Sequence, residues 1–186
     1  MVLRKRVLLL TGAPSVGKTT VLTKAVDALK EKGICVGGML SREAREGGKR
    51  VGFEILDLSS GRRGWLAHVN QKTGPRIGRY HVNVNDLEHI GAKAITDAVE
   101  NCDVIAIDEI GPMELFSEKF KKVVRKALEN HKPVLAIIHW KAGDELIIEA
   151  KELVDSKMFT VTQKSRDTLP EVIVEEINQF IELRQC

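Results

Sequence analysis

The chain of 186 residues carries 29 lysines and arginines against 26 aspartates and glutamates, a net charge of +3, with 43% hydrophobic and 30% charged residues. That length suits one domain, or one domain with a sizeable insertion, and the composition is that of an ordinary soluble globular protein. A balance this close to neutral implies no global polyelectrolyte partner, and no run approaches the roughly 18 apolar residues of a membrane span.

The start, MVLRKRVLLLTGAP, sets basic residues before an apolar patch. VLLL is too short for a signal-peptide core and leads directly into a glycine-rich stretch. RVLLLTG, residues 6–12, reads as a buried strand. Val21, Leu22, Ala25, Val26 and Leu29 then recur at helical spacing until Gly33 stops the helix. The texture changes next. ICVGGML and VGFEILDL read as short strands joined by SREAREGGKR, and GWLAHV and RYHVNV follow between turn residues, which suggests hairpins and antiparallel additions. NDLE is a capping box, Asn85 with Glu88, opening a helix to about Glu100. VIAID, PVLAII and MFTVT are further strands separated by helical segments, and a last helix begins near Pro170 with Val172, Ile173, Ile177, Phe180 and Ile181 on one face.

Repeated strand, helix, strand order means an α/β fold: a mainly parallel sheet with helices on both faces and, here, antiparallel hairpin additions. We read residues 1–186 as one domain with a β-rich insertion at about 37–84. Cys35, Cys102 and Cys186 are odd in number and lack any CxxC spacing, so reduced thiols in a cytoplasmic protein are expected.

GAPSVGKTT satisfies G-x-x-x-x-G-K-[ST] with Gly12, Gly17, Lys18 and Thr19, after a buried strand and before an amphipathic helix. Such a loop points successive N–H groups at phosphate oxygens, and the helix behind it presents its positive end. The nucleotide-binding run is Gly12, Ala13, Pro14, Ser15, Val16, Gly17, Lys18, Thr19 and Thr20. Lys18 reaches the β- and γ-phosphates and the Thr19 hydroxyl ligates Mg²⁺, while Thr20 is read as a first-turn helix residue.

VIAIDEIGPMEL places Asp108 and Glu109 side by side where a buried strand runs out. In phosphate-loop proteins an aspartate at the end of a second strand holds the metal opposite the loop threonine; a helix cap or turn residue is the alternative. Side chains alternate along an extended chain, so Glu109 points elsewhere and is free to orient a water in line with the γ-phosphate. Its alternative is an ion pair with a nearby arginine. Glu114 reads as a first-turn dipole partner or a further carboxylate behind the site.

Residues 42–79 carry nine basic side chains against four acidic ones, a local balance of +5, while the rest of the chain nets −2. Most of these form a solvated face, but one arginine could act as a finger in cis. The three aromatics there, Phe53, Trp65 and Tyr80, follow no nucleic-acid-binding motif. No N-K-x-D follows a late strand, so strict guanine specificity is not expected. Trp140 or Arg166 could stack on a purine, and His139 is read as structural.

TGAPSVGKTTVLTKAVDAL, GGMLSREAREGGKRVGFEILDLSSG, IGRYHVNVNDLE, VIAIDEIGPMELFSEKF and VTQKSRDTLPEVI occur in this chain in the order and spacing of a small P-loop nucleoside-triphosphatase family, the cancer-related nucleoside-triphosphatase type, with thermophilic bacterial and archaeal members. The likeness spans essentially the whole chain, and DEIGPMELFS is its most specific part. The resemblance implies a RecA-like fold and slow, Mg²⁺-dependent hydrolysis of ATP, GTP, CTP and UTP to the diphosphate and phosphate. By position it implies phosphate and metal roles for Lys18 and Thr19, a metal role for Asp108 and water activation by Glu109. Arg45 and Arg50 fall in its basic, glycine- and phenylalanine-containing stretch and, with Arg166, are the candidate transition-state or base contacts. Two departures stand out: Ser165 precedes Arg166 where an asparagine is common, and Arg42 stands where an acidic residue is usual. A monomer with no membrane partner is expected, and nucleic acid is left open as the less favoured partner. Two other classes use the same cradle: a nucleotide or small-molecule kinase, and an NTP-binding regulatory or RNA-associated module.

Overall fold

The computed structural model describes residues 5–141 and 143–185. The first strand, β1 (Val7–Thr11), shows how its sequence sets the architecture. Its four leading residues are buried and alternate between faces: Val7 and Leu9 enter one core, Leu8 and Leu10 the other. A strand covered on both faces has no polar side to show, hence the unbroken apolar run. α1 (Lys18–Glu31) lays Val21, Leu22, Ala25, Val26 and Leu29 on one face of the sheet, where α6 (Leu169–Gln185) joins it with Ile173 and Ile177. The opposite face carries α3 (Lys93–Asn101), α4 (Glu118–Glu129) and α5 (Glu145–Glu152).

The remaining strands are β2 (Val36–Glu46), β3 (Lys49–Asp57), β4 (Arg63–His68), β5 (Arg76–Ile77), β6 (Tyr80–Val82), β7 (Val104–Ile110), β8 (Val134–Ile138) and β9 (Ser156–Thr160). They form one nine-stranded sheet in the order β5-β6-β4-β3-β2-β7-β8-β1-β9. From β2 to β9 every pairing is parallel, and from β2 outward to β5 every pairing is antiparallel. The expected fold class, a mainly parallel sheet with helices on both faces and hairpin additions, is the one observed.

Three local expectations are corrected. SREAREGGKR is not a connection: β2 continues to Glu46, only Gly47 and Gly48 turn, and β3 resumes at Lys49. Both glycines have positive φ, +54° and +78°, as a two-residue hairpin turn matched to strand twist requires. The capping residue is Asn83 rather than Asn85. Its side chain accepts from the Asp86 amide at the start of α2 (Val84–Asp86), which passes through a π-helical stretch, Leu87–Ala92, into α3. Glu88, the expected partner in the box, instead accepts from the Ser117 hydroxyl at 2.9 Å. On α6, Val172 is exposed and Val174 is the residue turned to the core.

Arg6, one of the basic residues at the start, is buried. Its guanidinium donates to Asp155 at 2.8 Å, the Lys132 carbonyl at 3.1 Å and the Leu128 carbonyl at 2.7 Å. It thereby ties the entrance of β1 to those of β8 and β9. Cys35 and Cys102 are free thiols, one exposed and one buried; Cys186 lies outside the described residues.

Candidate active site

The parallel strands deliver their C-terminal ends to one edge, where ligands bind in open α/β sheets. There the chain leaves β1 through Gly12, whose φ is +149° and where a Cβ would stand 2.6 Å from the Val161 carbonyl oxygen. Only glycine fits that approach. Ser15 also has positive φ, +60°, in the sharp curl before α1. The helix then opens without a side-chain cap and without an acidic residue in its first turn. Its leading N–H groups are left for an external anion, favoured by the helix dipole. Lys18 curls back over the loop and donates to the Gly12 and Ala13 carbonyls at 3.0 and 3.1 Å.

β7 supplies the carboxylates. Asp108 is 2% exposed. Burial pushes it up to about 7, opposed by the nearby Thr19 hydroxyl, assisted by the charge of Glu109, and opposed again by Lys18. Its Oδ2 is buried without a partner. An orphaned anionic oxygen is costly unless a cation or donor meets it. A hard divalent cation fits the pair: Thr19 Oγ1 and Asp108 Oδ2 are oxygen donors at the mouth of the loop, and Mg²⁺ takes few protein ligands when phosphates supply others. Mg²⁺ is thus the ion this donor set suits.

Glu109 faces other neighbours. Burial raises it, while His139 and Lys18 lower it. His139 follows β8, and its amide donates to the Ile110 carbonyl at 3.2 Å. Glu114 opens a 3₁₀ turn after the Gly111–Pro112–Met113 bend. It is buried and pushed well above the usual carboxylate range, by burial first and then by the charges of Glu109 and Asp108, against the amides of Glu114 and Gly111.

Lys18, Thr19, Asp108, Glu109, Glu114 and His139 line one cavity of about 810 Å³. Of the expected site residues, Pro14, Ser15, Gly17, Lys18, Thr19, Thr20, Arg50, Asp108 and Glu109 line it. Gly12 and Ala13 turn their carbonyls to Lys18, and Val16 packs on the core beside α1. Arg45 lies outside the lining, bound to Glu43 at 2.7 Å and to the Gly48 carbonyl at 3.2 Å. Arg166 is not among the lining residues, and its Cδ stands 3.5 Å from where a Gly17 Cβ would be. Trp140, 47% exposed, sits at the rim with the Lys141 ammonium over its ring. The far wall was not foreseen from the sequence: Ser41, Arg42, Glu43, Phe53, Leu66, Ile77 and Met113 also face the cavity. They come from four strands, β2, β3, β4 and β5, and from the bend after β7, and the sheet order brings them together. His139 had a signal, its position directly after a buried strand beside β7, but not one that distinguished a site residue from a turn residue.

Residues 7–174 match the model of a family described as NTPase. The chain is 47% identical to the nucleoside-triphosphatase THEP1 of Thermofilum pendens over 174 residues, covering 93% of this chain and 96% of that protein. It is 45% identical to the protein of the same name from Methanosarcina acetivorans, covering 92% and 94%. Among solved structures, THEP1 from Aquifex aeolicus superposes with a TM-score of 0.80 at 29% identity, covering 92% of this chain and 98% of that one. A human cancer-related nucleoside triphosphatase also superposes with a TM-score of 0.80, at 36% identity, covering 94% and 98%.

Proposed function

The chain belongs to the NTPase family, and from that premise we propose that it hydrolyses nucleoside 5′-triphosphates to the diphosphate and phosphate, with Mg²⁺, broad tolerance of the base and slow turnover. The observation that carries the reading is the division of neighbours at the end of β7. Asp108 and Glu109 both line the cavity with Lys18, Thr19 and His139; Asp108 keeps one buried oxygen without a partner among the described residues, and Glu109 feels the charges of His139 and Lys18.

In this reading the loop amides and Lys18 bind the phosphate chain, and Lys18 meets the charge that gathers on the leaving oxygen. Thr19 and Asp108 hold Mg²⁺, which when bound offsets the charge of the β- and γ-phosphates. Glu109 orients a water, whose oxygen bonds to the γ-phosphorus as the bond from that phosphorus to the β–γ bridging oxygen breaks. The diphosphate departs with the electron pair, and the water proton passes to Glu109 and then to solvent. Burial that raises Glu109 makes it a better proton acceptor near neutral pH. Breadth of base is supported by the missing N-K-x-D and by Trp140 at the cavity rim, which offers a face rather than a hydrogen-bonding code. Slow turnover rests on the family resemblance. One chain provides loop, carboxylates and arginines, so we read it as a monomer. We also read it as a single domain in which residues 37–84 extend the sheet, at work in the cytoplasm, where its substrates are made. Among the described residues no helix is long and apolar enough to cross a membrane.

The test is to incubate the purified protein with ATP, GTP, CTP and UTP, with and without Mg²⁺, and to identify every product, with Lys18→Ala in parallel. Phosphate release from several triphosphates, dependent on Mg²⁺ and abolished in the variant, is expected. Activity unchanged in Lys18→Ala, or phosphate released only when an alcohol or nucleotide acceptor is added, would contradict it.

A further inference from the structure

Arg50 lies on β3 and faces the cavity. Its Nε donates to the Tyr80 hydroxyl at 3.0 Å and its Nη1 to Glu43 at 2.6 Å. Its guanidinium carbon stands 5.1 Å from the Phe53 ring centre and 5.7 Å from that of Tyr80. Those rings meet edge to face at 5.4 Å. Nη2 has no acceptor among the described residues. Tyr80 is itself fixed: it is buried, and its hydroxyl also accepts from Nε and Nη2 of Arg79, each at 3.1 Å. Arg79 Nη2 donates further to the Arg50 carbonyl.

We infer that Arg50 is the arginine that meets the transferring phosphoryl group, and that Tyr80 and Glu43 are positioning residues that hold its guanidinium ready; the inference rests on the phosphate-loop reading above. Three observations carry it. Of the arginines considered, Arg42 and Arg50 line the cavity and Arg45 and Arg166 do not. Arg42 has no ion pair or side-chain hydrogen bond among the described residues, so it would have to be ordered during the reaction, whereas Arg50 is fixed on two of its nitrogens and on two ring faces beforehand. Donors held in place before charge develops are the ones that lower a barrier. The third observation is charge. Arg45, Arg50 and Arg79 converge where, among the described residues, Glu43 is the sole carboxylate bonded to any of them. A purely structural staple would be neutralised; this cluster keeps positive charge for an external anion.

The experiment compares wild type, Arg50→Ala, Arg50→Lys and Tyr80→Phe by kcat and KM for ATP hydrolysis, by affinity for the non-hydrolysable triphosphate AMPPNP, and by binding of ADP with Mg²⁺ and aluminium fluoride, which mimics the flat, charged phosphoryl group. Arg50→Ala should lower kcat by about 10³-fold, the scale of a lost arginine finger, and abolish fluoroaluminate binding while AMPPNP binds nearly as before. Arg50→Lys keeps the charge but loses the fork and should recover only a small part. Tyr80→Phe keeps the ring and the fold, and should lower kcat by about tenfold with KM unchanged, since it removes one orienting hydrogen bond. Wild-type kcat and fluoroaluminate binding in Arg50→Ala would overturn the inference, as would a Tyr80→Phe protein altered in thermal stability alone. If Arg50→Ala does not fold, the lysine and phenylalanine variants decide by the same readouts. A wild type that binds no AMPPNP would instead remove the phosphate-loop reading and this inference together.

Discussion

What Asp108 lacks makes its charge costly until a cation meets it. Its carboxyl lies in the sheet edge with Oδ2 unpartnered, and burial lifts it from 3.8 to about 7. Between those values the folded protein keeps a proton that the unfolded chain has released, so without metal this group's contribution to stability is complete below about 4 and is lost as pH rises towards 7. Asp108→Asn removes that loss. At pH 8 and without Mg²⁺, the variant should be more stable than wild type by on the order of 3–4 kcal/mol, and the gap should close near pH 4. Mg²⁺ with AMPPNP should reverse the order, because only the aspartate can hold the ion. Glu109 and Glu114, raised by the same burial, titrate in both proteins. Thermal unfolding across pH, with and without the ligand pair, checks this; a wild type more stable at pH 8 in the absence of metal would refute it. Both carboxylates were legible in the sequence, because two adjacent charges ending an apolar run demand a partner. The clamp on Arg50 was not legible, because Tyr80 is thirty residues away and reaches Arg50 only through the order of β4, β6 and β3.

Elements were readable where both faces of the sheet are covered and unreadable where they are not. β1, β7 and β8 are buried throughout or nearly so, so their apolar runs declare them. Beyond Leu40, β2 leaves the helical layers and alternates only between partly and fully exposed residues; with no core to mark one face, it looks like a connection. The capping box failed for a related reason. Glu88 had the right spacing but is used by Ser117, which also caps α4 through the Phe120 amide at 3.0 Å, a contact that local pattern cannot reveal. Arg6 is the element-scale counterpart of the buried carboxylates. Arg6→Ala leaves two carbonyls and Asp155 without their donor at the junction of β1, β8 and β9. It should lower stability by about 2–4 kcal/mol, the scale for breaking a buried charged network. Urea unfolding with an unchanged m-value measures it; a change below about 0.5 kcal/mol, the level of an ordinary surface substitution, would show that Arg6 ties nothing together.

For the whole molecule, the sheet joins two kinds of chemistry. Its parallel half, β2-β7-β8-β1-β9, brings the phosphate loop and the carboxylates to one edge, and its antiparallel half carries the +5 segment that forms the opposite wall. The cavity therefore lies between the loop proposed to bind phosphate through its amides and a wall that offers arginine. A phosphoryl group between them would meet positive charge on both sides, and one carboxylate, Glu109, remains beside it for water. That last assignment is the central claim, and Glu109→Gln tests it most directly. The substitution keeps size and removes only the charge and basicity. AMPPNP and Mg²⁺ should bind the variant almost as they bind wild type, while ATP turnover measured with both ligands saturating should fall by about 10²-fold or more. A variant that hydrolyses ATP at the wild-type rate would contradict the account and return Glu109 to an ion-pair role.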